Sequence, residues 1–202
     1  MATSYPSPSP LDVANLLRGN DIFTDFYEYP DELKDLLKIT TQAVIENAQN
    51  IKKASKNPWG GTFTFNRWIP DGLLLLEDAA DLCSPKLYTE YGMPFTQEVI
   101  DKMGGAYIHH HSLGRQQFKN VSSLNGLYVQ QMSSDPNCIR PVTDLDYVQG
   151  EVGNTVVDLE CTAGEIFKYM DQIKRGRSIL LVNCRDKEEA IRLVEFVRKN
   201  SL

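Results

Sequence analysis

The chain has 202 residues, of which 42% are hydrophobic and 24% are charged, and this composition is typical of a globular protein with one well-formed core. Its net charge of −6 and its lack of a stripe rich in lysine and arginine argue against nucleic-acid binding. No apolar run approaches the ~20 residues that span a bilayer, and the N-terminus lacks the basic and apolar regions of a signal peptide.

Residues 1–19 are predicted to form an irregular start, rich in proline and serine, followed by a short helix. Ser9 supplies a cap, Pro10 suits the first helical position, and Gly19 ends the helix. A second helix is predicted over about 30–53, because apolar residues recur there at helical spacing. An Asn-Pro-Trp-Gly-Gly segment then stops it.

From about residue 72 onwards, short apolar runs alternate with helix-like stretches. Runs without polar alternation are typical of strands that are buried on both faces and therefore parallel. Repeated βα units predict a right-handed α/β arrangement, either an open sheet or a barrel. The predicted strands are 72–76, 106–108, 126–129, 155–159 and 178–182, and the predicted helices are 84–102, 116–123, 143–149, 163–174 and 187–199.

All three histidines of the chain stand in one run, His109 to His111, at the end of a predicted strand. Alternate side chains of a strand share a face, so His109 and His111 should point one way and His110 the other. Histidine changes charge near neutral pH and ligates metals. The run is therefore the first candidate for acid–base chemistry, and the alternative is a strand end with one packed and two solvated histidines.

Three acids, Glu77, Asp78 and Asp81, follow the predicted strand 72–76. Asp78 is either an acid–base group or cation ligand, or a solvated side chain. Asp81 is expected to cap the next helix, and Glu77 is expected to be solvated. Functional side chains collect at the carboxyl ends of parallel strands, so Asp78 could join the histidines of the next strand.

Two kinds of reaction centre follow from this grouping. Without a metal, a carboxylate near His109 and His111 should raise the pKa of the pair, with burial opposing this. With a metal, Asp78, His109 and His111 would give two nitrogens and one oxygen, a set that suits zinc. Nucleophilic catalysis is poorly supported, because Ser112 and His111 are strand neighbours that face apart.

The four cysteines (Cys83, Cys138, Cys161 and Cys184) are scattered and form no Cys-x-x-Cys pair. This pattern favours reduced thiols in a cytoplasmic protein over a disulfide framework.

Three segments in the second part of the chain resemble the uroporphyrinogen decarboxylase superfamily. The first is Glu77-Asp78-Ala-Ala-Asp81-Leu-Cys-Ser-Pro, which leads into a helix with a proline. The second is the His-Ser-x-Gly stretch 111–114, and the third is 124–137, with its Asp-Pro-Asn loop. The order and spacing of the segments carry the resemblance, which covers most of residues 20–200.

The resemblance implies a parallel (β/α) barrel of the TIM type, of which this chain is the C-terminal half to two thirds. Residues 1–202 are then a single domain, with the superfamily's βα units over 20–202. The implied activity is decarboxylation of a porphyrinogen or a related polycarboxylate, a lyase reaction on a small-molecule substrate without a cofactor. We assign Asp78, His109 and His111 as catalytic residues on this basis. The expected substrate-binding residues are Asp81, Ser112, Asp135 and Asn137.

The resemblance leaves two alternatives open. One is methyl transfer between a corrinoid protein and a thiol, for which relatives hold zinc with His-x-Cys and a distant cysteine. Here Leu113 stands at the first cysteine position, and Cys184 could occupy the distant one. The other is a non-catalytic half-barrel that self-associates or needs a partner chain. The decarboxylases' arginine-bearing loop and early aspartate have no counterpart here, so the isolated chain is expected to lack part of an active site.

Overall fold

The computed structural model describes residues 6–55, 61–65 and 67–201. The fold is α/β, and its centre is a six-stranded parallel sheet. Two further strands form a separate antiparallel hairpin. The strands are β1 (Ser7–Pro8), β2 (Thr62–Thr64), β3 (Arg67–Ile69), β4 (Leu73–Leu76), β5 (Ala106–His111), β6 (Leu127–Ser133), β7 (Val156–Cys161) and β8 (Ser178–Val182).

The strand order in the large sheet is β1-β4-β5-β6-β7-β8, so from β4 onwards every strand lies beside its predecessor in the chain. The helices between them are α1 (Pro10–Arg18), α2 (Ile22–Glu28), α3 (Pro30–Ser55), α4 (Pro85–Tyr91), α5 (Met93–Met103), α6 (Phe118–Ser122), α7 (Leu145–Val152), α8 (Ala163–Ile173) and α9 (Lys187–Asn200). The expected parallel sheet and the βα alternation are confirmed. None of the helices in the described ranges combines the length and hydrophobicity that crossing a bilayer requires.

The helices and the hairpin cover opposite faces of the sheet. Leu75 and Ile108 belong to the core formed with the helices before β6, and Leu159 belongs to the core formed with the later helices. On the other face, Tyr107 packs with Ile69 of the hairpin. We call this second surface the inner face.

Helix starts follow the sequence signals closely. Ser9 caps α1 and accepts the Asp12 N–H at 3.1 Å, and Gly19 ends the helix, as predicted. The predicted helix 84–102 is instead two helices, α4 and α5, which meet at Gly92. A side chain at Gly92 would overlap the ring of Tyr88.

Two expectations for the first third of the chain need correction. Residues 1–19 do not start irregularly throughout, because Ser7–Pro8 pairs with Leu75 and Leu76 as a sheet strand. The hairpin of β2 and β3 was not predicted at all. The stop expected at residues 57–60 lies outside the described residues.

Candidate functional site

The carboxyl ends of β4, β5 and β6 bring most of the predicted site residues together. In the sheet register Leu76 pairs with His109, and His109 pairs with Gln131. Side chains alternate between the two faces along a strand, so His109 and His111 lie on the inner face and His110 lies on the helix side. The predicted division of the three histidines is therefore confirmed.

Asp78, His109 and His111 form a compact cluster on this face. The two Nε2 atoms of His109 and His111 are 3.2 Å apart. An Oδ1 of Asp78 lies 3.4 Å from Nε2 of His111 and 3.8 Å from Nε2 of His109. The Asp78 side chain is 53% exposed and the His109 side chain 13% exposed, so the cluster opens to solvent on the Asp78 side.

The Nδ1 atoms of both histidines point away from this cluster and donate to oxygen atoms. His111 Nδ1 donates to an Asp135 carboxylate oxygen at 2.8 Å. His109 Nδ1 donates to the amide oxygen of Gln131, whose nitrogen donates in turn to Ser133 Oγ at 3.0 Å. Each neutral imidazole carries one proton, so both Nε2 atoms carry bare lone pairs that face each other.

Burial lowers the pKa of His109 below its usual 6.5, although the Gln131 hydrogen bond and the Asp78 charge act in the opposite direction. The expectation of a raised pKa for the histidine pair is wrong for His109, because desolvation disfavours the imidazolium more than Asp78 favours it. A pKa that folding lowers makes the fold less stable at low pH, whereas a raised pKa would have made it more stable there. The His109 side chain lowers the stability of the fold as pH falls below 6.5.

Asp135 binds the end of β5 and the residues after it through its carboxylate and its backbone N–H. Partial burial raises its pKa, but the N–H of Leu113 and the groups of His111 and Ser112 outweigh this, and the net pKa is lowered. The Leu113 N–H donates to Oδ2 at 2.8 Å, and Ser112 Oγ accepts the Asp135 N–H at 2.8 Å. Asp135 thus stays ionised and orients His111.

The other expected substrate-binding residues have different surroundings. Ser112 is 1% exposed and its hydroxyl is engaged by Asp135, so it supports the loop from within. Asn137 is an exposed turn residue with a left-handed φ of 65°. Among the described residues, no hydrogen bond joins its side chain to the histidine cluster.

Asp81 is buried and holds the histidine strand from the helix side. Its carboxylate accepts the His111 backbone N–H at 2.9 Å and lies 3.4 Å from His110 Nδ1. The expected capping role is wrong, because Ser84 caps α4 and accepts the Leu87 N–H at 3.3 Å.

His110 is fully buried, packs edge-on against Phe118, and accepts from the amide of Gln130 at 2.8 Å. These contacts give His110 a structural role in the core.

Glu77 was expected to be solvated and is instead fully buried on the helix side. Burial, together with the neighbouring Asp12, raises the pKa of Glu77 to about 8, against the hydrogen bond from Thr96. Asp12 is also buried, and its carboxylate accepts the N–H groups of Asp78 and Ala79. The carboxyl groups of Glu77 and Asp12 therefore lie on the helix side of the sheet, next to Asp78.

The hairpin adds residues that sequence reasoning missed. Phe65, at its turn, packs edge-on against His109 with ring centroids 5.6 Å apart, and its backbone has a left-handed φ of 42°. Arg67 forms a buried ion pair with Asp158 at 2.8 Å, and Tyr107 donates to the same carboxylate at 2.7 Å. The only available signal was the alternation in Thr-Phe-Thr-Phe, which is too short to read as a strand.

Within the part of the chain that the structure describes, Asp78, His109 and His111 are the group that could hold a metal ion, since their ligand atoms all lie within 4.8 Å of one another. The cysteine-based zinc set has no support here. Leu113 is 54% exposed at the first cysteine position, and Cys184 packs against the core on the helix side. All four cysteines are free thiols, as expected.

No protein-family model matches this sequence, and no curated protein matches it either. The resemblance to the uroporphyrinogen decarboxylase superfamily accordingly stays a prediction that is based on the three segments.

Proposed function

We propose that Asp78, His109 and His111 bind a divalent metal ion of the zinc type, and that the chain is a metal-dependent enzyme. One observation carries the proposal. The two Nε2 atoms lie 3.2 Å apart while both Nδ1 atoms face oxygen acceptors, so in the neutral rings two Nε2 lone pairs face each other. Such lone pairs repel each other unless a proton or a cation lies between them. Since burial lowers the pKa of His109, a cation is favoured over a proton.

The spacing of the three groups supports a tetrahedral ion. Ligand atoms about 2.0–2.1 Å from a tetrahedral centre lie about 3.3 Å from one another. The measured separations are 3.2 Å between the two nitrogens, and 3.4 Å and 3.8 Å from each nitrogen to the Asp78 oxygen. Small side-chain movements would bring all three groups to an ion.

The surroundings of the histidines support the same reading. Histidines that ligate metals usually donate their second N–H to a carboxylate or carbonyl oxygen, which fixes the tautomer and the ring orientation. Asp135 and Gln131 accept these protons here. The three protein groups leave a fourth position free, which is typical of catalytic zinc sites. A bound zinc-type ion would supply Lewis-acid chemistry there, by polarising a substrate carbonyl or lowering the pKa of water or a thiol.

We further propose that the six strands belong to a (β/α) barrel of the uroporphyrinogen decarboxylase type. The strands follow one another in chain order and the helices occupy one face, as in a barrel wall and unlike a doubly wound sheet. Among the described residues β1 and β8 each pair with one neighbour, so a partner chain or a second copy could complete the wall. A metal centre favours a metal-dependent reaction over the cofactor-free branch, but its ligands Asp78, His109 and His111 differ from the His-x-Cys set of the methyl-transfer branch. A corrinoid protein would be the partner only for methyl transfer.

Decarboxylation of a porphyrinogen or a related polycarboxylate is the second candidate function. A separation of 3.2 Å between two imidazole nitrogens also suits a shared proton. The histidine pair would then deliver this proton to the carbon that loses carbon dioxide. The lowered pKa of His109 works against this role, and for this reason we place it second.

Metal titration of the purified chain separates the two candidates. After chelator treatment, we expect calorimetry to show one Zn²⁺ or Co²⁺ ion bound per chain, and binding to be lost in His111→Ala and Asp78→Asn. The matched control is Asp35→Asn, since this carboxylate is 72% exposed on α3. Saturable binding that survives both site variants would contradict the proposal. If no metal binds, the pH titration of the two imidazoles is followed by NMR. Coupled titration of His109 and His111, as expected for a shared proton, would support the decarboxylase candidate.

A further inference from the structure

A hollow of about 240 Å³ lies directly beside the candidate metal cluster. It shares Asp78 with that cluster, and its lining includes Leu76, the register neighbour of His109 in the sheet. Its remaining lining residues come from β1, α1 and the turn after β4, and they are Pro8, Asp12, Asn15, Leu16, Ala79 and Leu82.

The polar side chains of this lining are already engaged within the protein. The two carboxylate oxygens of Asp12 accept the N–H groups of Asp78 and Ala79 at 3.2 Å and 2.6 Å. The amide of Asn15 donates to the Gly19 carbonyl at 3.3 Å. The exposed lining of the hollow is therefore mostly hydrocarbon, and Asp78 lies in the same lining.

Two of the three leucines that line the hollow are unusually exposed for their type. Leu16 is 75% exposed and Leu82 is 58% exposed, so much of their apolar surface faces solvent. Covering such surface is favourable in proportion to the apolar area that leaves water. The exposed Asp78 carboxylate in the lining disfavours a negatively charged occupant.

We propose that this hollow is a substrate subsite that takes an uncharged hydrocarbon group of a substrate whose polar group reaches Asp78, His109 and His111. The inference rests on the proposed function, because the polar group needs a reaction centre beside the hollow. Pockets for whole drug-sized ligands measure roughly 300–1,000 Å³. The smaller hollow therefore holds one part of the substrate, such as an alkyl chain or a single ring, while the reacting part lies outside it.

The test uses small alcohols on the metal-free chain, with leucine methyl groups observed by NMR. Ethanol, 1-butanol and 1-hexanol should shift the methyl signals of Leu16, Leu76 and Leu82, and affinity should rise by about fourfold for each methylene buried. Hexanoate should bind more weakly than 1-hexanol, because its charge meets Asp78.

Two neighbouring leucines provide a matched pair of variants. Leu16→Ser should weaken 1-hexanol binding by about fivefold. Leu17→Ser should leave it unchanged, since Leu17 is 68% exposed on the same helix and does not line the hollow. Both positions are exposed, so neither change should impair folding. The absence of saturable binding, or equal effects of the two variants, would overturn the subsite.

A parallel titration with Co²⁺ keeps this inference separate from the proposed function. If the metal binds and 1-hexanol does not, the subsite fails and the metal centre stands. If 1-hexanol binds in the hollow and no metal binds, the metal centre fails. When both bind, hexanohydroxamate should bind the Co²⁺ protein more tightly than acetohydroxamate, and Leu16→Ser should remove this difference while leaving the cobalt spectrum unchanged.

Discussion

His111 donates its Nδ1 proton to the carboxylate of Asp135 at 2.8 Å, and its Nε2 faces Nε2 of His109 at 3.2 Å. In the neutral ring this hydrogen bond leaves Nε2 without a proton. The bond joins the last residue of β5 to the loop that follows β6. A charge-assisted hydrogen bond of this kind fixes both the tautomer and the ring orientation. Asp135 therefore acts as a positioning residue for the candidate metal centre.

The first prediction follows from this bond. Asp135→Ala should weaken zinc binding by about 10–100-fold, the usual cost of losing such a partner. Asp135→Asn should lose less, because its amide oxygen can still accept the His111 proton. Calorimetric zinc titration measures the change, and circular dichroism checks the fold. Asp146→Asn, at a carboxylate that is 69% exposed on α7, is the control. Equal zinc affinity in Asp135→Ala and wild type would remove the positioning role.

The second prediction concerns Gly114, whose Cα faces the buried carboxylate of Asp81. A side chain at Gly114 would overlap that carboxylate, with the added Cβ only 2.8 Å from Cβ of Asp81. Gly114→Ala should destabilise the fold by about 1–3 kcal/mol. It should also weaken zinc binding, since Asp81 accepts the backbone N–H of His111.

Gly150 supplies the matched control for this change. It lies within α7, and an added Cβ there meets nothing within 4 Å. Gly150→Ala should therefore be neutral or stabilise the protein by about 0.5–1 kcal/mol. Urea unfolding measures both variants. Similar midpoints for Gly114→Ala and wild type would mean that Asp81 moves aside without cost.

The third prediction is a pH dependence caused by Glu77. Burial raises its pKa in the fold to about 8, from an ordinary value of 4.5. A pKa raised by folding gives stability that is fully present below pH 4.5 and is lost as pH rises through 8. Asp12, whose pKa burial raises to about 7, acts in the same direction. The metal-free chain should therefore lose stability between pH 5 and pH 9.

Glu77→Gln tests the source of this loss, because the amide keeps the shape of the protonated acid and cannot ionise. Its stability should fall less steeply with pH than that of the wild type, by on the order of a few kcal/mol between the two extremes. Urea unfolding at pH 5, 7 and 9 in the presence of a chelator gives the comparison. Parallel stability curves for the two proteins would exclude Glu77 as the titrating group.

The sequence predicted the parallel strands well because their apolar runs lack polar alternation, as in Leu73–Leu76. It also predicted the opposite directions of His109 and His110, because strand alternation is a local rule. The burial of Glu77 could not be predicted in this way. Its surroundings come from Thr96, on α5, and from Asp12, on α1. Contacts between distant segments of this kind decide whether a polar residue after a strand is solvated.

The candidate site was likewise predictable only where it depends on local patterns and not on contacts between distant segments. The grouping of Asp78 with His109 and His111 was predictable, since neighbouring parallel strands end at one edge. The role of Gln131 was not, because nothing in the local pattern of β6 marks it as the acceptor for His109. Arg67 and Asp158 are 91 residues apart in the chain, and only the folded hairpin brings them together.

The last prediction concerns this ion pair. The Asp158 side chain is 3% exposed and the Arg67 side chain 14% exposed, so each charge depends on the other in a region with little access to solvent. Removing one partner of a buried pair usually costs about 3–5 kcal/mol, because the remaining charge is left uncompensated. Arg67→Ala should destabilise the fold by an amount in this range. Within the described ranges, the Asp158 carboxylate would then keep the hydroxyl of Tyr107 as its side-chain hydrogen-bond donor.

An exposed ion pair within α3 gives the comparison for this measurement. Lys38 and Asp35 lie 2.7 Å apart with side chains 68% and 72% exposed, so Lys38→Ala should change stability by less than about 1 kcal/mol. The Arg67 change should also loosen Phe65, whose carbonyl accepts from Arg67 at 3.0 Å. Since Phe65 covers one side of His109, the imidazole should gain exposure and its pKa should rise towards 6.5 in an NMR titration. If Arg67→Ala loses no more stability than Lys38→Ala and the His109 pKa stays the same, the hairpin is held by its apolar contacts alone.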